Sequence, residues 1–547
     1  MNNILSTFGK FSFLGFNIYI TLAVCLINVI LMCFLASKLM QMLQLSSYKN
    51  SGYFIWLKEN KSKYVGKIIM LTFLSMISVG VITALLYGFG LYYTYISFGF
   101  YIYFCLVFIT NMARAPQKTP LKQTRRINRL FITVFVLTFV ISYFLVILAE
   151  NYTPYLKHAI LTLSPLIMLI VVPIANLINK PLELIIKAGY LKRSRKKLQK
   201  MPNLIKIGIT GSYGKTTTKH FLNVMLAKKY SVCMTPHSFN TPMGITKVIL
   251  NYLKKDNEVL ICEMGARNVG DIKYLCDLVK PKHGIITSVG SQHLSTFGSL
   301  ENIAKTKNEL VQAIDDGLIV FNANSEGAVK LYENCQKNKL LSGVNKIKTF
   351  SNITDIKVSS TGSEFTLNIE NNLIKCKTKL VGKFYLENIS MASSLAYKLG
   401  VSLQNISDAI YQLEPMPHRM EIINNNGLTI MDDSYNCSVE SSKAALETLS
   451  LFKGNKIIIT PGIVEMGEKE NQVNYDFGVN IAKVCDKVII VNQVNKEAIK
   501  EGLLDAGFNE EDILQAESLK HAQSLLPSLT KTGDVILFEN DLPDNYT

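Results

Sequence analysis

Apolar positions divide the chain in two. Up to residue 200, unbroken apolar runs of about 20 residues recur, the length a bilayer core demands of a helix. They fall near Phe16–Leu35, Ile68–Tyr87, Leu91–Ile109, Leu130–Leu148 and Ala159–Ile178 and predict five transmembrane helices. From Met201 the pattern changes to short β-branched runs alternating with amphipathic stretches. Val259–Cys262, Gly284–Thr287 and Gly317–Asn322 read as buried strands, each followed by turn residues and a helical stretch. Leu428–Met431, Lys456–Thr460, Lys487–Val491 and Asp534–Phe538 repeat the alternation, with helices such as Ser441–Leu451 between them. Such alternation predicts parallel sheets covered by helices. The expected architecture is a helical transmembrane region over 1–200, a P-loop-type central α/β domain over 201–415, and a Rossmann-like C-terminal α/β domain over 416–547. Ser351–Thr378 reads as a β-hairpin insertion in the central domain.

The formal charge of +17 on 547 residues suggests a nucleic-acid partner until its location is considered. Before Met201 there are 22 basic and 3 acidic residues; after it the counts are 36 and 38. The excess belongs to three connections: Lys38 to Lys67, Arg114 to Arg129, and Lys187 to Lys200. A basic bias confined to alternate loops is the mark of cytoplasmic sides of a membrane protein. It places the N-terminus outside, everything after Ile178 in the cytoplasm, and the chain in the cell membrane as a multi-pass protein with no nucleic-acid partner. The first span lacks a small-residue cleavage site and reads as a retained helix. The stretch Tyr53–Tyr64, around Trp56, fits either the headgroup layer or a solvated loop. The ten cysteines show neither metal spacing nor a paired framework, as expected of reduced thiols.

The chemistry concentrates in GITGSYGKTTTK, Gly208 to Lys219, placed between a strand and a helix. Gly211 and Gly214 permit a tight turn, and the helix that follows offers its positive end to phosphate. Lys215 would reach the β- and γ-phosphates, and the Thr216 hydroxyl would hold Mg²⁺. Ile209 stands where the full phosphate-loop pattern has its first glycine, so a plain strand-to-helix turn is the competing reading. A lysine followed by consecutive hydroxyls argues for nucleotide. Glu263 ends the strand VLICE, where a carboxylate can bind metal; His293 follows GIITSVGSQ; Lys307 lies in the helical stretch ENIAKTKNEL. Taken singly, they also read as a solvated strand end, a cap histidine and a surface lysine.

In order, GxxGKTTT, EMGA, HLSTFGS, KNEL, FNANSE, HRME and DDSYN resemble the Mur ligase superfamily, most closely its D-alanyl-D-alanine-adding branch, over about 340 residues from Met201. The resemblance implies that Lys215 and Thr216 bind phosphate and magnesium within a nucleotide loop of Gly211, Ser212, Tyr213, Gly214 and Thr217. It makes Glu263 and His293 ligands of a second Mg²⁺, and Lys307 a carbamylated, carboxylate-like metal partner; Lys215, His293 and Lys307 are the catalytic set. It assigns Asn322 and Asn324 to adenine, Arg419 to the linker reaching the nucleotide, and Asp433, Tyr435 and Asn436 to the loop closing the C-terminal domain over ATP. Asn240, Thr241 and Gly244, in SFNTPMGI, would face the acceptor. The implied reaction spends ATP to make an acyl phosphate that an amine converts to an amide. Two Mg²⁺, a lysine and backbone N–H groups suit the charge that accumulates on phosphoryl oxygens.

The chain departs from the family in places. Five spans stand where a UDP-holding domain is usual, Phe384 and Tyr385 replace a His-Asn pair, PGIVEMG (Pro461–Gly467) replaces GDMxELG, and ENDLPDN (Glu539–Asn545) replaces a Lys-Gly-Ser-Arg run. The expected function is therefore a membrane-anchored ligase that couples an amino acid or short peptide to a carboxylate on a lipid-linked or membrane-proximal envelope saccharide, with membrane lipid as a further partner. The alternatives are addition of D-alanyl-D-alanine to UDP-N-acetylmuramoyl-tripeptide, and an ATP-driven transporter. The transporter is disfavoured because no intramembrane acid or base marks a path.

Overall fold

The computed structural model describes residues 2–86, 92–113, 120–152, 160–236, 239–290, 294–435, 437–464 and 466–540, some of the first 160 by backbone alone. They form two compact units, one reaching Ala188 and the other starting at Gly189.

The first unit is helical: Asn2–Leu45, Asn50–Glu59, Gly66–Leu86, Tyr92–Ala113, Arg125–Tyr152, and the helix Ser164–Gln199, which contains the boundary. Among the described residues four stretches are long and apolar enough to cross a membrane: Thr21–Leu45, Gly66–Leu85, Arg125–Leu148 and Ser164–Gln199. Five spans were expected. The one at Leu91–Ile109 lies partly outside the described residues, and the rest of it falls within the 22-residue helix Tyr92–Ala113. The last helix also runs well past the expected end at Ile178, since the Leu-, Lys- and Arg-rich stretch after Lys187 consists of good helix formers. Large apolar groups such as Phe34, Leu85 and Phe144 point outward. Inside, the Asn28 amide donates to the hydroxyls of Ser142 (2.7 Å) and Ser164 (3.1 Å) and accepts from Tyr101. An apolar exterior over polar groups that pair with one another inside, as Asn28, Tyr101, Ser142 and Ser164 do, suits a hydrocarbon surround, where an unpaired polar group is costly.

The second unit holds two sheets. The larger comprises β1 (Ile205–Thr210), β2 (Val232–Met234), β3 (Val259–Glu263), β4 (His283–Ile286), β5 (Ile319–Asn322), β6 (Lys339–Val344), β7 (Ser351–Ser359), β8 (Gly362–Ile369) and β9 (Asn372–Thr378). Their order is β2-β3-β1-β4-β5-β6-β7-β8-β9, parallel as far as β7 and antiparallel beyond it. The expected hairpin insertion is instead a three-stranded extension of this sheet, and β2, only three residues long, escapes periodicity. The smaller sheet has β10 (Glu421–Asn425), β11 (Leu428–Asp433), β12 (Lys456–Thr460), β13 (Lys487–Val491), β14 (Ile513–Ala516) and β15 (Val535–Glu539), ordered β10-β11-β15-β12-β13-β14. Asn426 and Gly427, at φ 49° and 81°, turn β10 into β11 in the two-residue form that positive φ allows.

β3, β4 and β5 are buried along their whole length, the requirement of a parallel sheet covered on both faces. The chain changes direction across the sheet at β1, with β3 on one side and β4 on the other. Register sets Ile209 opposite Glu263 and Thr210 opposite Ile286. The carboxyl ends of β1, β3 and β4 therefore border one crevice, the place where open α/β sheets bind ligands.

His283 opens β4, and its Nδ1 accepts the Leu318 N–H at 3.0 Å. Burial, then the Lys282 charge, lower its pKa to about 4. The folded state thus resists a proton that the unfolded chain binds below about 6.5, so the contribution of His283 is complete above that pH and fades as pH falls to about 4, by up to about 3 kcal/mol. The protection of the Leu318 amide, corrected for the intrinsic exchange rate at each pH, should fall over that window in the native chain and stay level in His283→Asn. Level protection in the native chain contradicts this.

Candidate active site at the strand ends

Between β1 and the helix Lys215–Leu226 the chain turns through Gly214, at φ 79°. A Cβ there would lie 2.6 Å from Asn388 Oδ1, which already accepts the Thr218 hydroxyl at 2.9 Å. At Gly211 a Cβ would overlap the Thr287 hydroxyl. The segment after β4 clamps the loop: the N–H groups of Ser212 and Tyr213 donate to the Ser288 carbonyl (3.0 Å) and hydroxyl (2.8 Å), and the Ser212 hydroxyl lies 3.0 Å from Gly290. Two loop amides expected to face phosphate are thus used within the protein. The first helical bond is Thr218 N–H to Gly214 O at 2.8 Å, so the helix start around Thr216 and Thr217 keeps backbone N–H groups that could receive an anion.

The Lys215 amine folds over the loop, donating to the carbonyls of Gly211 (2.6 Å) and Ser212 (2.7 Å). Burial, with the Arg419 charge adding to it, lowers its pKa to about 8. Four residues on, on the same helix face, Lys219 donates to Glu263 Oε2 at 3.0 Å, with both side chains almost fully buried. Asn240 holds Glu263 Oε1 at 3.0 Å, and the Glu263 N–H donates to the Thr235 hydroxyl at 3.1 Å. Burial works to raise the Glu263 pKa, but Lys219 and Lys215 outweigh it and hold the carboxyl below its ordinary range. Lys307 is buried as well, and burial followed by the Lys215 charge brings it to about 7. No described residue accepts a hydrogen bond from its amine, which faces the Phe297 ring at 5.9 Å. The next acid in its motif, Glu309, is structural, accepting the N–H groups of Gly270 (2.6 Å) and Lys273 (2.8 Å) at the head of the helix Asp271–Val279.

Lys215 and Lys219 thus flank one carboxylate, and Lys307 stands close enough to Lys215 for the two charges to repel, with Glu309 and Asp271 the acids that act on it. Lys219 closes the GKTTTK motif but was not assigned from sequence; its i+4 spacing from Lys215 was the available signal. His293 and Asn436 lie outside the described residues. Asn240 turns out to orient Glu263, while Thr241 caps the helix Pro242–Asn251 by accepting the Gly244 N–H at 3.2 Å, which accounts for both residues locally. Asn322 and Asn324 sit at and just beyond the end of β5, and Arg419 stacks on Tyr435, 4.2 Å from its ring centre. Asp433 accepts the Met420 N–H at 3.1 Å, and burial, opposed by Arg419, raises its pKa to about 7.

Among the described residues no group of three or more His, Cys, Asp or Glu is arranged to hold a metal ion. The Thr216 hydroxyl and Glu263 carboxylate are nevertheless the hard oxygen donors that suit Mg²⁺ taking its other ligands from phosphates and water. The donor set fits a metal that arrives with nucleotide.

In the C-terminal part, the backbone of the PGIVEMG segment is tied by Asn474 to Ile463 N–H and carbonyl (2.8 Å each) and by Asn495. Glu539 is buried, with Oε1 accepting the Cys437 thiol at 2.9 Å and Oε2 unpartnered. Asp541 and Asp544 lie outside the described residues.

Residues 209–396 match the Mur ligase middle domain, and residues 418–539 match the Mur ligase, glutamate ligase domain. UDP-N-acetylmuramoyl-tripeptide–D-alanyl-D-alanine ligase of Bacillus subtilis (strain 168) is 28% identical over 340 residues, 61% of this chain and 72% of its own. The protein of that name from Mycobacterium bovis is 31% identical over 254 residues, 45% of this chain and 48% of its own, so the chain spans about half of that relative. The MurF ligase of Thermotoga maritima, solved in complex with ADP, aligns with a TM-score of 0.59 at 28% identity, covering 65% of this chain and 80% of its own.

Lys219→Met leaves the Glu263 carboxylate buried without its ammonium and should destabilise the second unit by about 3–5 kcal/mol. Adding Glu263→Leu should recover most of that loss. Pulse proteolysis across a urea series reads both, and equal losses in the single and double variants contradict the pairing.

Proposed function

Since the chain belongs to the Mur ligase superfamily through its middle and C-terminal domains, and is thereby an ATP-dependent carboxylate–amine ligase, we propose that it joins D-alanyl-D-alanine to the terminal carboxylate of a muramoyl-tripeptide. The observation that carries this reading is the pairing of Lys215 and Lys219 with Glu263 at the phosphate turn, with the buried Lys307 near Lys215, in a chain whose relatives bear that activity in their names. The relatives favour the UDP-linked acceptor over the lipid-linked one expected from sequence. The lipid-linked acceptor remains a second reading for one reason, the four apolar helices that precede the matched residues.

In this reading the helix start at Lys215–Thr217 cradles the polyphosphate, and the Lys215 amine leaves the Gly211 and Ser212 carbonyls to follow the transferred phosphoryl group. Thr216 and Glu263 would hold the Mg²⁺ that accompanies ATP, which neutralises charge on the phosphoryl oxygens. Lys219 and Asn240 fix the Glu263 carboxylate. The buried Lys307 amine, near neutrality in pKa, is suited to add CO₂ as a carbamate, which would turn an excess cation into an anion beside the metal. The matched domains would lie in the cytoplasm, where ATP is available.

Lys215→Ala should lower kcat for ADP release by roughly two to three orders of magnitude, the loss expected when one donor to a developing phosphoryl charge is removed. Undiminished release contradicts its role. Lys307→Ala should be inactive and regain activity with added short carboxylic acids; full activity without them rules out the carbamate. For the substrates, purified enzyme with ATP, Mg²⁺ and D-alanyl-D-alanine should turn over UDP-N-acetylmuramoyl-tripeptide. Turnover of lipid-extracted envelope precursors alone would replace this reading with the lipid-linked one.

A further inference from the structure

The larger sheet fixes which way a nucleotide lies. With phosphates at the helix start after β1, the base points either over β3 or over β4 and β5, the next strands on the other side. The β3 side is filled by Glu263, Lys219 and Asn240. The β5 end is two strand spacings from β1, about 10 Å, and carries amides and a carboxylate, groups that read base edges.

The amides there are engaged within the protein. Asn322 Nδ2 donates to the Thr287 carbonyl (2.9 Å) and to Glu387 Oε2 (2.8 Å), and its Oδ1 accepts the Asn324 N–H (2.9 Å). Asn324 is paired with Val344 through both its amide nitrogen (3.0 Å) and its oxygen (2.8 Å). Glu387 is different. It stands in the first turn of the helix Phe384–Lys398, half-buried, held by Asn322 through one oxygen, with no ion pair to any described residue. The half-buried Tyr213 of the phosphate turn stands close enough for the Glu387 charge to act on its hydroxyl. A carboxylate fixed on one side and uncommitted on the other is an acceptor waiting for a donor.

We propose that Glu387 is the base-reading residue of this site: its uncommitted carboxylate oxygen accepts a hydrogen bond from the exocyclic 6-amino group of adenine and repels the 6-oxo group of hypoxanthine and guanine. Asn322 acts as the positioning residue that aims it. The inference rests on the nucleotide-triphosphate reading of the site and adds a specificity element to it. Burial, which raises the Glu387 pKa, also sharpens the contrast between a donor and an acceptor placed against it.

The test compares ATP, ITP and GTP in the full-length enzyme and in Glu387→Gln, which keeps an oxygen for Asn322 but offers an amide N–H to the base. The native enzyme should favour ATP over ITP by roughly ten- to a hundredfold in kcat/KM, the range for a hydrogen bond to a charged group. Glu387→Gln should collapse that ratio at least tenfold, ATP weakening while ITP improves. Competition of ADP and IDP for binding gives the same ratio independently of turnover, and a gain for the 6-oxo nucleotide cannot come from misfolding. An unchanged ATP:ITP ratio, or native preference for GTP, overturns the role of Glu387 while leaving the ligase reading intact. Consumption of no nucleotide at all overturns both.

Discussion

The carboxylate of Glu263 is the charge about which the described side chains of the strand-end crevice are organised. It stands at the end of a fully buried strand, bonded to Lys219 and Asn240, with the Lys215 charge acting on it from the phosphate turn. A buried ion pair of this kind adds little net stability over an apolar pair of the same shape, because desolvation consumes most of the attraction. Its value is geometric. It fixes an oxygen donor beside the helix start where the proposed nucleotide would place its phosphates.

The Lys215 and Lys307 amines both have depressed pKa values, at about 8 and about 7. Burial comes first in each, and the remaining cations deepen it. In the proposed function, a polyphosphate entering the crevice would add negative charge and return both amines toward their charged forms, tying nucleotide binding to the electrostatics of these lysines. The turn that receives it is already rigid: Ser288 and Asn388 lock its backbone from two sides, and Gly214 admits no side chain. Preorganised donors of this sort need no rearrangement as charge develops.

Much of this was legible in the sequence. The strand–turn–helix of GITGSYGKTTTK, the terminal carboxylate of VLICE and the alternating pattern after Met201 each encode their structure locally, since strand burial and helix starts leave short-range signatures. What was not legible depends on long-range pairing. The partnership of Lys219 with Glu263 joins positions 44 apart, and the reassignment of Asn240 from an acceptor loop to a carboxylate clamp needed the neighbouring strand ends. The edge strands β7 to β9 read as an insertion because their half-buried alternation says nothing about which sheet they join. Glu387 escaped notice because a glutamate at a helix start is ordinary until both nearby asparagines prove to be committed elsewhere.

The most direct test of amide ligation through an acyl phosphate follows one atom. If ATP activates an acceptor carboxylate at the Lys215 turn, an acceptor labelled with ¹⁸O in that carboxylate should pass one labelled oxygen to the phosphate released with each amide formed. Phosphate that draws its new oxygen from water, with the acceptor label retained, would contradict the account and leave a nucleotide hydrolase coupled to other work.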